Sequence, residues 1–104
     1  MLDMIKGLLG FGPKVDYAQL IREDAVIIDV RSMEEYMTGH IKGSKNIPSE
    51  EILKYASKFS KDKAIITCCA SGMRSAMAKS VLKSNGYTRV YNGGSWARLQ
   101  NKIN

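Results

Sequence analysis

The chain has 104 residues, 44% of them hydrophobic and 25% charged, enough for one domain with a real core and no room for a second. Its formal charge of +6 comes from 11 lysines and five arginines against ten acids, scattered rather than run together. There is no basic stripe with interleaved aromatics, no zinc-ligand spacing and no glycine-rich nucleotide fingerprint, so neither nucleic acid nor a metal is an expected partner.

The apolar cluster from Met1 to Phe11 is too short to span a bilayer and is interrupted by Gly7, Gly10, Gly12 and Pro13. Residues 1–14 are therefore expected to be an extension, a short helix packing on the domain, with no membrane role. The domain is expected over 15–104. Asp16 with Gln19 three residues on is a capping pattern that opens a short helix toward Arg22, and Ala25 to Val30 follows as a buried strand. Ser32 with Glu35 caps a second helix that Gly39 stops; Lys45-Asn46-Ile47 is a short extended piece ended by Pro48. A third helix is expected from about Glu50 to Phe59, a strand from Lys63 to Cys68 and a helix from Ser75 to Asn85 stopped by Gly86. A strand from Thr88 to Tyr91 and a last helix from Ser95 to Ile103 complete the pattern.

Short all-apolar strands such as Ala25-Val26-Ile27-Ile28 and Ala64-Ile65-Ile66 imply burial on both faces, as when helices cover a parallel sheet. The expected fold is α/β, a three-layer domain with a central, mainly parallel sheet flanked by helices. Ligand sites in such sheets lie outside the carboxyl ends of the strands. Asp29-Val30-Arg31 and Cys68-Cys69 both fall there, which points them toward one pocket.

Cys69-Ala70-Ser71-Gly72-Met73-Arg74-Ser75 connects a buried strand to a helix, so a cysteine sits beside an anion-binding turn. Backbone amides, the open helix N-terminus and Arg74 would all favour its thiolate. Gly72 can take the positive φ that a tight loop needs, Arg74 can offer paired donors to sulfonate, sulfate or phosphate oxygens, and Ser75 suits a cap or first-turn position.

This loop reads C-x-x-G-x-R-S, and other stretches agree with it. Ile28-Asp29-Val30-Arg31, Glu35-Tyr36, Gly39-His40-Ile41-Lys42-Gly43-Ser44-Lys45-Asn46-Ile47-Pro48, Gly86-Tyr87, Val90-Tyr91-Asn92-Gly93-Gly94 and Trp96 follow in order. The chain resembles a single-domain rhodanese from roughly Val15 to Trp96. The resemblance implies a rhodanese-like fold and sulfur transfer through a persulfide on Cys69. Ala70, Ser71, Gly72, Met73, Arg74 and Ser75 would form the substrate-binding loop, with Asp29, Arg31 and His40 behind it or at the pocket rim. It implies a small anionic sulfur donor such as thiosulfate, a thiol or cyanide acceptor or a sulfur-relay protein, and neither metal nor organic cofactor. Ala70, Ser71 and Met73 carry no charge, which leaves Arg74 alone to bind a sulfonate and makes thiosulfate a poor donor.

Two adjacent cysteines cannot build a disulfide framework, and no signal-peptide pattern precedes them. A monomer in the reducing cytoplasm is expected. Two further readings stay open. Cys68-x5-Arg74 also fits the C-x5-R signature of cysteine phosphatases, although Gly72 favours the count from Cys69. Rhodanese-like domains also serve as non-enzymatic binding and regulatory modules. Scaffold roles compete with pocket roles for Asp29, Arg31 and His40, and Trp96 reads as packing for the last helix.

Overall fold

In a computed structural model, residues 14–104 are described. The expected helix of the N-terminal extension lies outside them. The elements are α1 (Tyr17–Arg22), β1 (Val26–Asp29), α2 (Met33–Met37) and β2 (Lys45–Asn46), followed by a 3₁₀ turn (Ser49–Glu51) and α3 (Ile52–Ala56). Then come β3 (Ile65–Cys69), α4 (Met73–Ser84), β4 (Val90–Ser95) and α5 (Trp96–Ile103). The four strands form one parallel sheet in the order β2-β1-β3-β4. No helix among the described residues is long and apolar enough to cross a membrane.

Alternation along the central strands builds two cores. Val26, Ile28 and Val30 of the first strand and its exit join Ile65 and Cys69 beneath Ile52, Ala56, Ala78 and Leu82 of α3 and α4. Ile27, Ile66 and Cys68 face the other way, onto Leu20 of α1 and Leu99 of α5, with Trp96 packed alongside. The strands read as uniformly apolar because both faces are covered, giving the three layers expected. A two-residue period also has a chemical consequence: Cys68 and Cys69, adjacent in sequence, point into opposite layers.

The caps follow the sequence signals. The Asp16 side chain accepts from the Gln19 amide at 3.0 Å, and Ser32 and Glu35 satisfy each other's backbone N–H groups in a full capping box. Most boundaries shift by one or two residues, and three differences bear on the site. The Glu50–Phe59 stretch divides into a 3₁₀ turn and a short α-helix. The helix expected from Ser75 begins at Met73, because Gly72 at φ +103° turns the chain into it. The last strand runs past Tyr91 to Ser95. Its alternation continues in residues that do not look strand-like, with Asn92 directed at α4 and Gly93 packed against Leu99 of α5.

Gly93 has a specific reason to be glycine. A Cβ there would lie 2.8 Å from Leu99 Cδ2 and 2.9 Å from the Thr67 carbonyl oxygen. The strand also carries one extra residue: Thr67 faces Asn92 while Cys69 faces Ser95, so two steps on β3 oppose three on β4. That bulge contains Gly94 at φ +81° and brings Ser95, the cap of α5, opposite Cys69.

Candidate active site

Cys69 is the last residue of β3 rather than part of the turn itself, and it is fully buried. The loop then folds back over its sulfur. The Gly72 amide donates to Sγ at 2.9 Å and the Ser75 amide at 3.4 Å, with the Ser75 hydroxyl 3.5 Å away. Gly72, the N-cap of α4, has no side chain to accept from the first turn of that helix. The cysteine sulfur takes the place that a capping oxygen usually fills, at the positive end of a twelve-residue helix.

Burial opposes ionisation of Cys69 and is the largest single influence on it. The Ser75 hydroxyl and the amides of Ser75, Gly72 and Ser71 together outweigh burial and hold the thiol below its ordinary range. Cys68 lies under the opposite influence. Burial, then the Asp29 carboxylate, push its thiol up to about 12, and Arg31 only partly compensates. The two neighbouring thiols differ because one faces a cage of donors and the other an apolar layer beside a carboxylate.

Asn92 buttresses the cage. Its Oδ1 accepts from the Ser75 hydroxyl at 2.7 Å and from the Gly94 amide at 2.9 Å, while its Nδ2 donates to the Gly72 carbonyl at 3.4 Å. Thr67 on β3 adds a bond from its hydroxyl to the Ser75 carbonyl at 2.9 Å. Sequence reasoning gave neither residue a role. The signal available for Asn92 was its place before a Gly-Gly pair at a strand's carboxyl end, a position where side chains meet loops.

The other expected site residues are distributed as follows. Ala70 and Ser71 are exposed along the loop, and Met73 points outward. Arg74 departs from the expected anion clamp: its two terminal nitrogens donate to the two oxygens of Glu35 at 2.7 and 2.9 Å. The guanidinium is thereby engaged as a strut between α4 and α2. Hydrogen bonding to Arg74 first, and then to the Ser32 amide, holds the Glu35 carboxyl down to about 2, so the strut persists through the neutral range.

Asp29 and Arg31 meet each other rather than the Cys69 pocket. Arg31 donates to the buried carboxylate through Nε at 2.9 Å and through a terminal nitrogen at 2.7 Å, and also to the carbonyls of Glu35 and Gly39. Its guanidinium lies 4.9 Å from the Trp96 ring centroid. The pair is 0% and 4% exposed and lies in the layer of Cys68 and α5, so it forms no open rim. Asn46 locks the segment by donating to the carbonyls of Asp29 and Arg31. His40 is exposed, stacked on Tyr36 at 3.8 Å, with Nδ1 2.9 Å from the Tyr36 carbonyl oxygen. Its hydrogen bond and stacking partner belong to α2, not to the Cys69 loop.

Comparison with known proteins agrees with this architecture. The model of the Rhodanese-like domain family matches residues 14–100. Thiosulfate sulfurtransferase GlpE of Pseudomonas fluorescens is 32% identical over 77 residues, covering 73% of this chain and 71% of GlpE. YrkF of Bacillus subtilis is 38% identical over 85 residues, 82% of this chain and 44% of YrkF. The chain thus spans about half the length of the Bacillus subtilis relatives it matches, 54% of a second one. A solved rhodanese with anions from E. coli superposes with a TM-score of 0.67 at 34% identity, covering 71% of this chain and 89% of that one. By its match to the family model, its identity to sulfurtransferase relatives and its superposition on a solved rhodanese, the chain belongs to the rhodanese-like domain family.

Proposed function

We propose that the protein is a sulfurtransferase that carries sulfane sulfur as a persulfide on Cys69. The observation that carries this reading is the convergence of the Gly72 and Ser75 amides on one sulfur, with the Ser75 hydroxyl 3.5 Å from it. A thiolate held this way attacks the outer sulfur of a donor without a separate base; the donor's S–S bond breaks as the new one to Cys69 forms, sulfite leaves from thiosulfate or a thiolate from a persulfide, and the loop amides and helix end stabilise the anionic outer sulfur of the product. An acceptor thiolate or cyanide then removes that sulfur and returns Cys69 to its starting state.

Thiosulfate, named for the GlpE relative, is a candidate donor. Engagement of Arg74 by Glu35 removes the one cation expected to hold its sulfonate, which favours a persulfide donor over thiosulfate. The phosphatase alternative would need Cys68 as nucleophile. Its direction into the α1/α5 layer and its thiol at about 12 argue against that role. A purely binding module would have no use for the donor cage around Cys69.

Intact-mass analysis after incubation of reduced protein with thiosulfate or with a small persulfide tests the reading. A cyanide-removable gain of one sulfur, about 32 Da, is expected on the thiolate nucleophile in wild type and Cys68→Ser and not in Cys69→Ser. A gain retained by Cys69→Ser and lost in Cys68→Ser would assign the chemistry to the wrong cysteine. No gain from either donor would reject sulfur transfer.

A further inference from the structure

Among the described residues, the exposed large apolar side chains gather on α2, α3 and α4, with Val15 the one exception. Such a concentration on one side of a small domain marks an interaction surface. Beside the outer strand β2 that surface holds a groove of about 570 Å³, with Met33, Ile47, Tyr55 and Phe59 as its apolar walls. Its volume is that of an ordinary binding site. The groove lies on the α3/α4 side of the sheet, where Ile47 and Phe59 pack, and at the carboxyl end of β2. Met33 opens α2, the helix whose Glu35 holds Arg74, so the groove and the Cys69 loop share one end of the molecule.

The backbone beside this groove is open. The Ile47 amide donates to the Asp29 carbonyl at 3.0 Å, so in a parallel ladder the N–H and C=O of Asn46 point the other way, off the edge of the sheet. The Asn46 side chain does not turn back over them, because its amide group donates inward to the carbonyls of Asp29 and Arg31. An unpaired donor and acceptor beside apolar walls suit an added strand. Pro48, which has no N–H, limits that ladder to one pair, so side chains must supply most of the selectivity. Lys45 and Ile47 are two residues apart and share the groove face of the strand. Lys58 also lines the groove, with Nζ 5.4 Å from the Tyr55 ring centroid. Neither lysine forms an ion pair among the described residues, and Glu51 is the one acid in the lining.

We propose that this groove docks an extended acidic segment of a partner protein, which adds to the edge of β2 at Asn46. A large apolar side chain of that segment fills the space between Ile47, Tyr55 and Phe59. Side chains two positions away lie on the same face of the added strand, where carboxylates meet Lys45 and Lys58. The recognised pattern is therefore acidic-x-apolar-x-acidic in extended form. A basic segment is disfavoured by the two lysines, and a helical one leaves the Asn46 peptide groups unpaired. Docking of this kind does not depend on the chemistry proposed for Cys69.

Titration of ¹⁵N-labelled protein with the probe peptide N-acetyl-Asp-Thr-Phe-Thr-Asp-amide tests the groove. Shift changes are expected at the amides of Asn46, Ile47 and Lys58, with the Asn46 proton moving downfield as it gains a hydrogen bond. Affinity is expected to fall about tenfold in Lys45→Gln/Lys58→Gln, the loss of two exposed ion pairs, and at least as far when lysine replaces both aspartates of the peptide. The amide spectrum of the variant reports its fold in the same experiment. Absence of shifts at the groove, or equal binding by the variant, overturns the proposal. Equal groove shifts with phenylacetate would assign the groove to a small anion, and concentration-dependent shifts at Asn46 and Lys58 without peptide would assign it to a second copy of the chain; either result overturns the strand reading. Sulfur uptake by Cys69, followed by intact mass, is expected to be unchanged in Lys45→Gln/Lys58→Gln, so the groove and the sulfurtransferase reading fail separately.

Discussion

Replacement of Ser75 by alanine separates what the hydroxyl does for the fold from what it does for Cys69. Ser75→Ala leaves the Ser75 amide in place, Gly72 still donates to the sulfur at 2.9 Å, and Asn92 Oδ1 still accepts from Gly94 at 2.9 Å. The cost to stability is that of one ordinary hydrogen bond, about 1 kcal/mol. The cost to the thiolate is larger in proportion, since a hydrogen bond to a charged group contributes about 1.5–3 kcal/mol. The 3.5 Å separation and the competing bond to Asn92 at 2.7 Å place the effect at the low end of that range. The neutral-pH alkylation rate is then expected to fall by roughly tenfold.

Iodoacetamide alkylation followed from pH 5 to 10 measures this directly, with the modified residue located by mass. Cys68, at about 12, stays silent over most of that range. Loss of a donor to the ionised form raises the Cys69 thiol pKa, so the profile moves to higher pH and the two proteins converge once both are fully ionised. An unchanged profile would remove Ser75 from the account. A constant ratio at every pH would show that access, not ionisation, had changed.

Arg31→Met is expected to cost about 3–5 kcal/mol by urea denaturation, because it leaves the Asp29 carboxylate buried without its partner. Asp29→Leu/Arg31→Met is expected to recover most of that loss, and strictly additive single costs would refute the pairing argument. Cys68 has its folded value raised from 9.0 to about 12, so its contribution is fully present below pH 9 and is lost as pH rises toward 12. Cys68→Ala should flatten that part of the stability profile relative to wild type, and parallel profiles would contradict the burial argument. Gly93→Ala, whose Cβ would meet Leu99 and Thr67 within 2.9 Å, is expected to destabilise by about 1–3 kcal/mol or more. Gly94→Ala meets nothing within 4 Å and carries only the left-handed backbone cost, about 1–2 kcal/mol. Thermal scans that ranked Gly94→Ala well above Gly93→Ala in damage would reverse the steric reading.

Local signals carried the architecture because they depend on neighbours in sequence. The Ser32–Glu35 capping box and the apolar runs around Ile27 and Ile66 are complete within a few residues, and strand ends locate the loop. The partner of Arg74 was not legible in the same way. Glu35 lies 39 positions earlier, and its capping pattern already explained its presence, so nothing in the motif directed it to a second task. The extension of β4 was hidden by Asn92, Gly93 and Gly94, residues that usually mark turns. Their strand pairing depends on Leu99, Thr67 and Ser75, which chain folding brings against them. Strand ends alone did not show how Asp29 and Arg31 sit relative to Cys69: residue parity sends their side chains to the opposite layer, and Arg31 meets the site only through the carbonyl of Glu35, the partner of Arg74.

That parity gives the site its division of labour. Position 68 joins Asp29, Arg31 and Trp96 in a layer that fixes the strand ends and keeps its thiol protonated, while position 69 opens onto the first turn of α4. A register slip of one residue would exchange these environments, placing a thiol with no donors under the loop and the donor cage over the wrong side chain. The extra residue at Gly94 fixes the alternative that folds. It keeps Asn92 opposite Thr67, where it can hold Ser75 and Gly72, yet brings Ser95 opposite Cys69 so that α5 also begins at the site. A twelve-residue helix therefore starts over the Cys69 sulfur with its positive end toward it, while the cap of the eight-residue α5 lies opposite Cys69 in the sheet. The reactivity proposed for Cys69 thus rests on strand register and helix placement together, while burial and the Asp29 carboxylate hold the thiol one position earlier in its protonated form.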